Sequence, residues 1–365
     1  MIVRFVIIIF VAVYLINIPF GLSCCAFDRY PIMTGQSVWR DTKRHRDIPV
    51  KIFFPLQSEQ SKTPKHTGEQ SDSSHSKDTF PVILFSHGLG GTYDRCSYLS
   101  TVWSSLGFVV VSVQHPGSDE HIWRGKLRVV KELRDSYEQN WNCRTRAEDL
   151  RFVLDVLVRL NDAGKLGRIR PDLSNVGVSG YDIGSLGPLL LAGQMPPDRG
   201  RSLRDSRVQA VVAMSPPVRN PGLNNARVYA DIRIPALFIT GTRDDGIIGI
   251  TKAHQRRIPF DYMTNGDKFL MTFLNGDHQV YAGPLFSVSR LFRDDNIYQQ
   301  TITKISSYFW LAYLKDNEKA KKILNSTNIK HMLGELAKFE KKTIPNKQNK
   351  PEELPEEIVP PKKIK

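Results

Sequence analysis

With 365 residues and 41% hydrophobic content the chain can bury a full core, as one large domain with extensions or two modest ones. Charged residues make up 24%, an ordinary globular share, and the formal charge of +14 is partly concentrated after Lys315, where KAKK, KFEKK and PPKKIK recur. No recognition motif or basic stripe interleaved with aromatics accompanies that charge. The expectation is therefore no nucleic acid, with an anionic lipid surface or wall polymer the better partner for the basic face.

The chain opens with MIVRFVIIIFVAVYLINIPFGLSCC. One positive charge precedes an apolar run from Phe5 to Ile16, and Asn17, Pro19 and Gly21 break it before a small-residue exit. The run is shorter than the roughly 20 residues that span a bilayer and suits a signal-peptide core. Residues 1–26 are expected to be a signal peptide or membrane anchor, and the protein exported, periplasmic or extracellular. Ser23-Cys24 resembles the end of a bacterial lipoprotein signal, although Gly21 stands where that pattern prefers leucine. Lipidation at Cys24 is thus an alternative to simple cleavage. Of the four cysteines, Cys24 and Cys25 lie at the processing site; Cys96 and Cys143 read as two separate buried thiols, with a disulfide as the alternative in an oxidising compartment. No CxxC or His-rich spacing suggests a metal site.

IPVKIFFP, beginning at Ile48, has the β-branched and aromatic content of a strand closed by Pro55. The polar stretch that follows predicts a flexible loop over 57–80 inside one domain spanning 27–335. FPVILFSHGLGG is a short, continuous apolar run ending in glycines, as expected of a strand buried on both faces of a parallel sheet. A helix is predicted over Tyr98–Leu106, followed by the strand in GFVVVSVQHPG. A longer helix over Arg146–Leu160 places Leu150, Val153, Leu154 and Leu157 on one face and leads to NVGVSG. RVQAVVAMSPP, IPALFITGTRDD and DKFLMTFLNGDHQ continue the strand series, and Tyr298–Leu314 reads as the last packed helix. Beyond it a final helix and a solvated Lys/Pro/Glu-rich tail are expected, the tail over 336–365. Strands alternating with helices predict an α/β fold with a mostly parallel central sheet and helices on both faces.

Ligands of open parallel sheets bind beyond the carboxyl ends of the strands. Four of those ends carry reactive groups: His87-Gly88-Leu89-Gly90-Gly91, Gly180-Tyr181-Asp182-Ile183-Gly184, Gly241-Thr242-Arg243-Asp244-Asp245 and Gly276-Asp277-His278. In the second, glycines two residues either side of Asp182 relieve the crowding of a strand that turns sharply into a helix and points one side chain outward. That is the pattern of a nucleophile elbow with aspartate at its apex. Pro188 is compatible with the following helix if it falls in the first turn.

From about Ile48 to about Leu333, on IPVKIFFP, VILFSHGLGGTY, GFVVVSVQHPGSDEH, the elbow, PALFITGTRDD and NGDHQVYAG, the chain resembles the α/β-hydrolases of the platelet-activating factor acetylhydrolase and dienelactone hydrolase-like group. The resemblance implies an α/β-hydrolase fold without a large cap domain, a short-acyl or lipid-like ester as substrate, and no cofactor or metal. It further implies His278 as general base, Asp244 as its orienting acid, and the backbone N–H groups of Leu89 and Ile183 as the oxyanion hole. Asp182 takes the nucleophile's place. His87 is expected to hold the oxyanion loop, Asp245 to face solvent, and His115 and His121 to be solvated loop histidines. Ser179 and Ser185 flank the apex but cannot occupy it.

An ionised carboxylate needs no base to activate it, yet on an ester carbonyl it is a poor nucleophile and would form an anhydride. Epoxides and carbon–halogen bonds would give an ordinary ester instead, but the donors such enzymes add are missing here: Ile183 stands where a halide-binding tryptophan would, leaving Tyr181 or Tyr281 as the candidate donors to an epoxide. A further alternative is a binding descendant without turnover, since a second carboxylate beside His278 favours the charged ring, which is a poor base.

Overall fold

The computed structural model describes residues 27, 29–56, 79–139, 144–198, 200–218, 225–246, 248, 251–282 and 296–342, with the backbone of 12–14. The predicted export segment other than residues 12–14, the 57–78 stretch, Cys143 and the chain beyond 342 lie outside them. Among the described residues ten strands form a single sheet: β1 (Ala12–Tyr14), β2 (Ile32–Asp41), β3 (Arg46–Pro55), β4 (Phe80–Ser86), β5 (Val109–Val113), β6 (Pro171–Tyr181), β7 (Val208–Met214), β8 (Ala236–Arg243), β9 (Lys268–Asp277) and β10 (Ala337–Lys342). Their order across the sheet is β1-β2-β3-β5-β4-β6-β7-β8-β9-β10. From β5 to β9 every neighbouring pair is parallel; β1, β2 and β3 at one side and β10 at the other are antiparallel.

The parallel strands are continuous runs of buried β-branched and aromatic residues because both faces of the sheet are covered. Alternate residues go to opposite layers: Val82 and Leu84 of β4 join one core, Ile83 and Phe85 the other. The first layer holds α3 (Arg144–Asp162) and α4 (Leu186–Ala192), with Leu150, Val153, Leu154 and Leu157 all buried against the sheet. The second holds α1 (Ser97–Ser105) and, following the short α5 (Asn225–Tyr229) and α6 (Ile258–Tyr262) along the chain, the long α7 (Asn296–Leu314), where the rings of Trp103 and Trp310 meet edge to face at 5.8 Å. Pro188 is the third residue of α4 and removes no hydrogen bond that the first turn could make.

Three elements differ from the expectation. Strand β2 has a polar, glycine-containing sequence without clean alternation, and it forms because β3 supplies a full antiparallel partner from Ile32↔Pro55 to Asp41↔Arg46. Helix α2 (Val129–Gln139) follows a loop that sequence left unassigned. At the C-terminal end, α8 (Glu318–Asn325) and α9 (Asn328–Leu333) are followed by β10, which pairs with β9 from Ala337↔Phe273 to Lys342↔Lys268. Residues 337–342, placed by sequence in a solvated tail, are therefore part of the sheet: Ala337 and Phe339 point into the core, while Lys338, Lys341 and Lys342 are exposed. Between α4 and β7 the described residues form no helix. Among the described residues no helix is long and apolar enough to cross a membrane.

Candidate active site

Strand β6 ends in Gly180 and Tyr181, and the chain turns at once into a 3-10 turn over Asp182–Ser185 that continues as α4. Asp182 has φ 54°, the left-handed region, in which aspartate is better tolerated than most side chains. The turn is so tight that both flanking glycines are obligatory. A Cβ on Gly180 would lie 2.2 Å from the Gly184 carbonyl oxygen, and one on Gly184 would lie 2.2 Å from that of His87. The second clash shows that the HGLGG loop after β4 rests directly on the elbow; a Cβ on Gly88 would come 3.4 Å from the Asp182 Cβ. Leu89 follows Gly88 on that loop and Ile183 follows the apex, and the Asp182 side chain is 16% exposed.

His278 follows β9 and faces the apex: its Nε2 is 3.7 Å from Asp182 Oδ1, too long for a direct hydrogen bond. Its Nδ1 lies 2.8 Å from Oδ1 of Asp244, which is fully buried at the end of β8. Asp245, by contrast, is largely exposed and pairs with Lys252 at 3.2 Å. Asp182, His278 and Asp244 are brought together from three loops at the carboxyl edge of the sheet.

Around Asp244 the structure adds groups that sequence reasoning missed. Ser215, after β7 and itself at φ 50°, donates from Oγ to Asp244 Oδ1 at 2.8 Å and lies 3.0 Å from His278 Nδ1. Thr240 and Tyr281 each donate a hydroxyl to Asp244 Oδ2 at 3.0 Å. Arg256, buried to 1%, places Nε 3.2 Å from Asp244 Oδ1. Tyr181 donates to the His278 carbonyl oxygen at 2.6 Å. Burial, reinforced by the Asp182 and Asp244 carboxylates for Tyr181 and by Asp244 for Tyr281, pushes both phenols well above their ordinary range. With both hydroxyls committed, neither tyrosine is the epoxide donor that sequence left open. The only local signals were a serine after an apolar strand, SPP, and an arginine in a stretch without periodicity.

The histidines of the neighbouring loops need one correction. His121 is exposed at the ring, as expected. His115 is buried, 1% exposed, and forms the middle of a second relay: Ser86 Oγ lies 2.9 Å from its Nε2 and Asp149 Oδ2 lies 3.0 Å from its Nδ1. Asp149 also accepts from Arg44 Nη1 at 2.7 Å and Arg46 Nη2 at 3.1 Å. Burial, helped by the Arg146 charge, pushes the His115 imidazole down to about 4, so the ring is neutral at pH 7. Burial alone would raise the Asp149 carboxyl, but the bond from His115 and the charges of its partners hold it below the usual range. This cluster carries the loop that rests on the elbow. Arg146 donates from Nη1 to the His87 carbonyl oxygen at 2.6 Å, and the His115 amide donates to His87 Nε2 at 3.1 Å. His87 therefore keeps its proton on Nδ1, 2.7 Å from the Gly88 carbonyl oxygen, and burial with the nearby Arg146 charge drives the ring well below its ordinary range. Ser185 Oγ donates to the Asp182 carbonyl oxygen at 2.7 Å, and Ser179 is buried behind the apex, so neither reaches the site. Cys96 is a buried free thiol pushed up to about 12 by burial, and no cluster of metal-ligating side chains occurs among the described residues.

A parallel sheet whose sharpest strand-to-helix turn presents a side chain to an imidazole backed by a buried carboxylate defines an α/β-hydrolase. Residues 41–141 match the family model described as Platelet-activating factor acetylhydrolase, isoform II. That stretch carries β3, β4, the HGLGG loop, β5 and α2, but not the elbow, Asp244 or His278. Over that stretch the chain is similar to the platelet-activating factor acetylhydrolases, and its sheet and helices have the α/β-hydrolase arrangement. No curated protein matches the chain.

Proposed function

We propose that the protein is an exported hydrolase of short-acyl or lipid-like esters, in which Asp182 and His278 activate water in place of a serine nucleophile. One observation carries the reading: His278 Nε2 faces Asp182 Oδ1 at 3.7 Å while Asp244 holds Nδ1. A carboxylate and an imidazole nitrogen at that separation, on the open side of the ring, can share one water lying beside the line between them. Asp182 accepts a hydrogen bond from one O–H of the water, which stays intact, and His278 takes the other proton as the water oxygen bonds to the ester carbonyl carbon. The developing oxyanion meets the N–H groups of Leu89 and Ile183. The intermediate then collapses, the carbon–oxygen bond to the alcohol breaks, and His278 returns the proton to the leaving oxygen. This route avoids the anhydride that direct attack by Asp182 on an ester would require.

Asp244 orients the ring and supports the imidazolium that forms, as the acid of a hydrolytic relay does. The uncommitted acceptor atoms of Asp182 suit water better than they suit an epoxide, since the two tyrosines beside the site already donate elsewhere. Export rests on the N-terminal apolar run, and contact with an anionic lipid surface rests on the basic charge of the chain.

The test is hydrolysis of a short-chain nitrophenyl ester by protein lacking residues 1–26, beside His278→Ala, Asp182→Ala and Asp182→Ser. Turnover by the parent, lost in His278→Ala and reduced in Asp182→Ala, without an acyl adduct on Asp182 by mass spectrometry, is the expected result. A silent parent with a gain in Asp182→Ser would instead mark an esterase scaffold that has lost its nucleophile.

A further inference from the structure

A serine at the elbow would leave the relay with one negative charge; aspartate there makes two, one on each side of His278. Arg256 is the cation placed against this pair. It reaches the site from the 3-10 turn Ala253–Arg257, and its guanidinium is clamped by three elements. Its Nε donates to the Asp244 carbonyl oxygen at 2.6 Å, Nη1 donates to the Ser215 carbonyl oxygen at 2.6 Å, and Nη2 lies 3.4 Å from His278 Nδ1. A guanidinium stays charged at any accessible pH, and burying it is costly unless it is paired. Here the charge has been brought to the ring itself rather than left to an exposed partner of Asp244. The charged and titratable groups facing His278 are then Asp182 across Nε2, Asp244 and Arg256 at Nδ1, and Tyr181, whose tilted ring lies 5.2 Å away and in turn meets the Tyr281 ring at 5.4 Å.

We propose that Arg256 is a positioning residue that balances the Asp182–Asp244 pair across His278 and so keeps the ring able to accept a proton from water. The inference rests on the hydrolytic reading above for its purpose, but not for its test. Two carboxylates alone hold an imidazole in its charged form, whereas a fixed cation at comparable distance opposes them. If Arg256 merely braced the loop of Asp244 and Ser215, its loss would not shift the ring in the sense opposite to loss of the Asp182 charge, and lysine, which keeps the charge but not the clamp, would disturb the ring as much as methionine.

The experiment follows the His278 ring by NMR as a function of pH in the parent, Asp182→Asn, Arg256→Met, Arg256→Lys and the double variant Asp182→Asn/Arg256→Met, with circular dichroism on each. Arg256→Met is expected to move the ring's protonation midpoint up by about one pH unit, Arg256→Lys to move it little, and the double variant to restore it. The low-pH limb of nitrophenyl ester hydrolysis should move with it. An unmoved midpoint in Arg256→Met, an Arg256→Lys shift as large as that of Arg256→Met, or a double variant no closer to the parent than Arg256→Met overturns the proposal. Should Arg256→Met not fold, Arg256→Gln with and without Asp182→Asn makes the same comparison. Absence of turnover in every variant, with the charge coupling intact, would remove the hydrolytic reading and leave the balance of charges standing.

Discussion

Among the described residues two relays each set an imidazole against a buried carboxylate, with a hydroxyl at the far end of one and a second carboxylate at the far end of the other. In one, Ser86, His115 and Asp149 lie at 2.9 and 3.0 Å; in the other, Asp182, His278 and Asp244 lie at 3.7 and 2.8 Å. By distance the first is the better match to a hydroxyl–imidazole–carboxylate triad. It is nevertheless sealed: Ser86 and Asp149 have no exposure, His115 has 1%, and Arg44, Arg46 and Arg146 close around it. The second has an open end because the left-handed turn at Asp182 lifts its side chain off the sheet. Relay geometry therefore does not define a site. Access at the nucleophile's end does, and the sealed relay serves the open one by fixing the loop on which the elbow rests.

The sharpest way to break this comparison is to remove the acid of each relay. Asp149→Ala leaves Arg44, Arg46 and the His115 ring without their shared partner, and the loss should be about 3–5 kcal/mol in denaturant unfolding. Losing the histidines should separate the roles next. His278→Ala is expected to cut ester hydrolysis by about 10²–10⁴-fold while the melting temperature stays close to that of the parent. His115→Ala should do the reverse in stability, costing about 1–3 kcal/mol because Ser86 and Asp149 are left with unmet hydrogen bonds. Equal melting temperatures for the two variants would erase the distinction drawn here.

pH offers a smaller effect with a definite sign. His115, pushed down to about 4 in the folded chain, binds its proton less readily there than in the unfolded chain, where the ordinary value is 6.5. The unfolded state therefore holds more protons between those values, so stability rises with pH through this window and is lost as pH falls from 6.5 toward 4. His87, also held well below its ordinary range, acts in the same direction. His115→Gln should flatten part of this dependence in urea titrations at pH 4.5 and 7. The smallest expected change is at the neighbouring acid: Asp245→Asn, on an exposed side chain bonded to Lys252, should leave both hydrolysis and melting temperature unchanged, in contrast to Asp244→Asn, which should depress hydrolysis sharply.

How much of this was legible in advance depends on whether the signal was local. A buried parallel strand is a run of apolar residues, and a sharp strand-to-helix turn needs small residues at fixed offsets, so β4 to β9, the glycines of the elbow, Asp182, Asp244 and His278 can all be read in short windows. The order of those segments along the chain, and the presence of a carboxylate at the apex, are likewise properties of the sequence alone. Strand β10 could not be read this way because AKFEKK is half lysine and becomes a strand only where β9 offers its edge. Nor could the sealed relay, whose members lie 29 and 34 residues apart on different elements, or the clamp of Arg256 on Ser215, 41 residues away. Burial turned His115 from a loop histidine into a neutral structural ring, and burial set a guanidinium against His278. Those outcomes come from which surfaces the packed sheet excludes from water, a quantity that no stretch of residues carries until the layers close on one another.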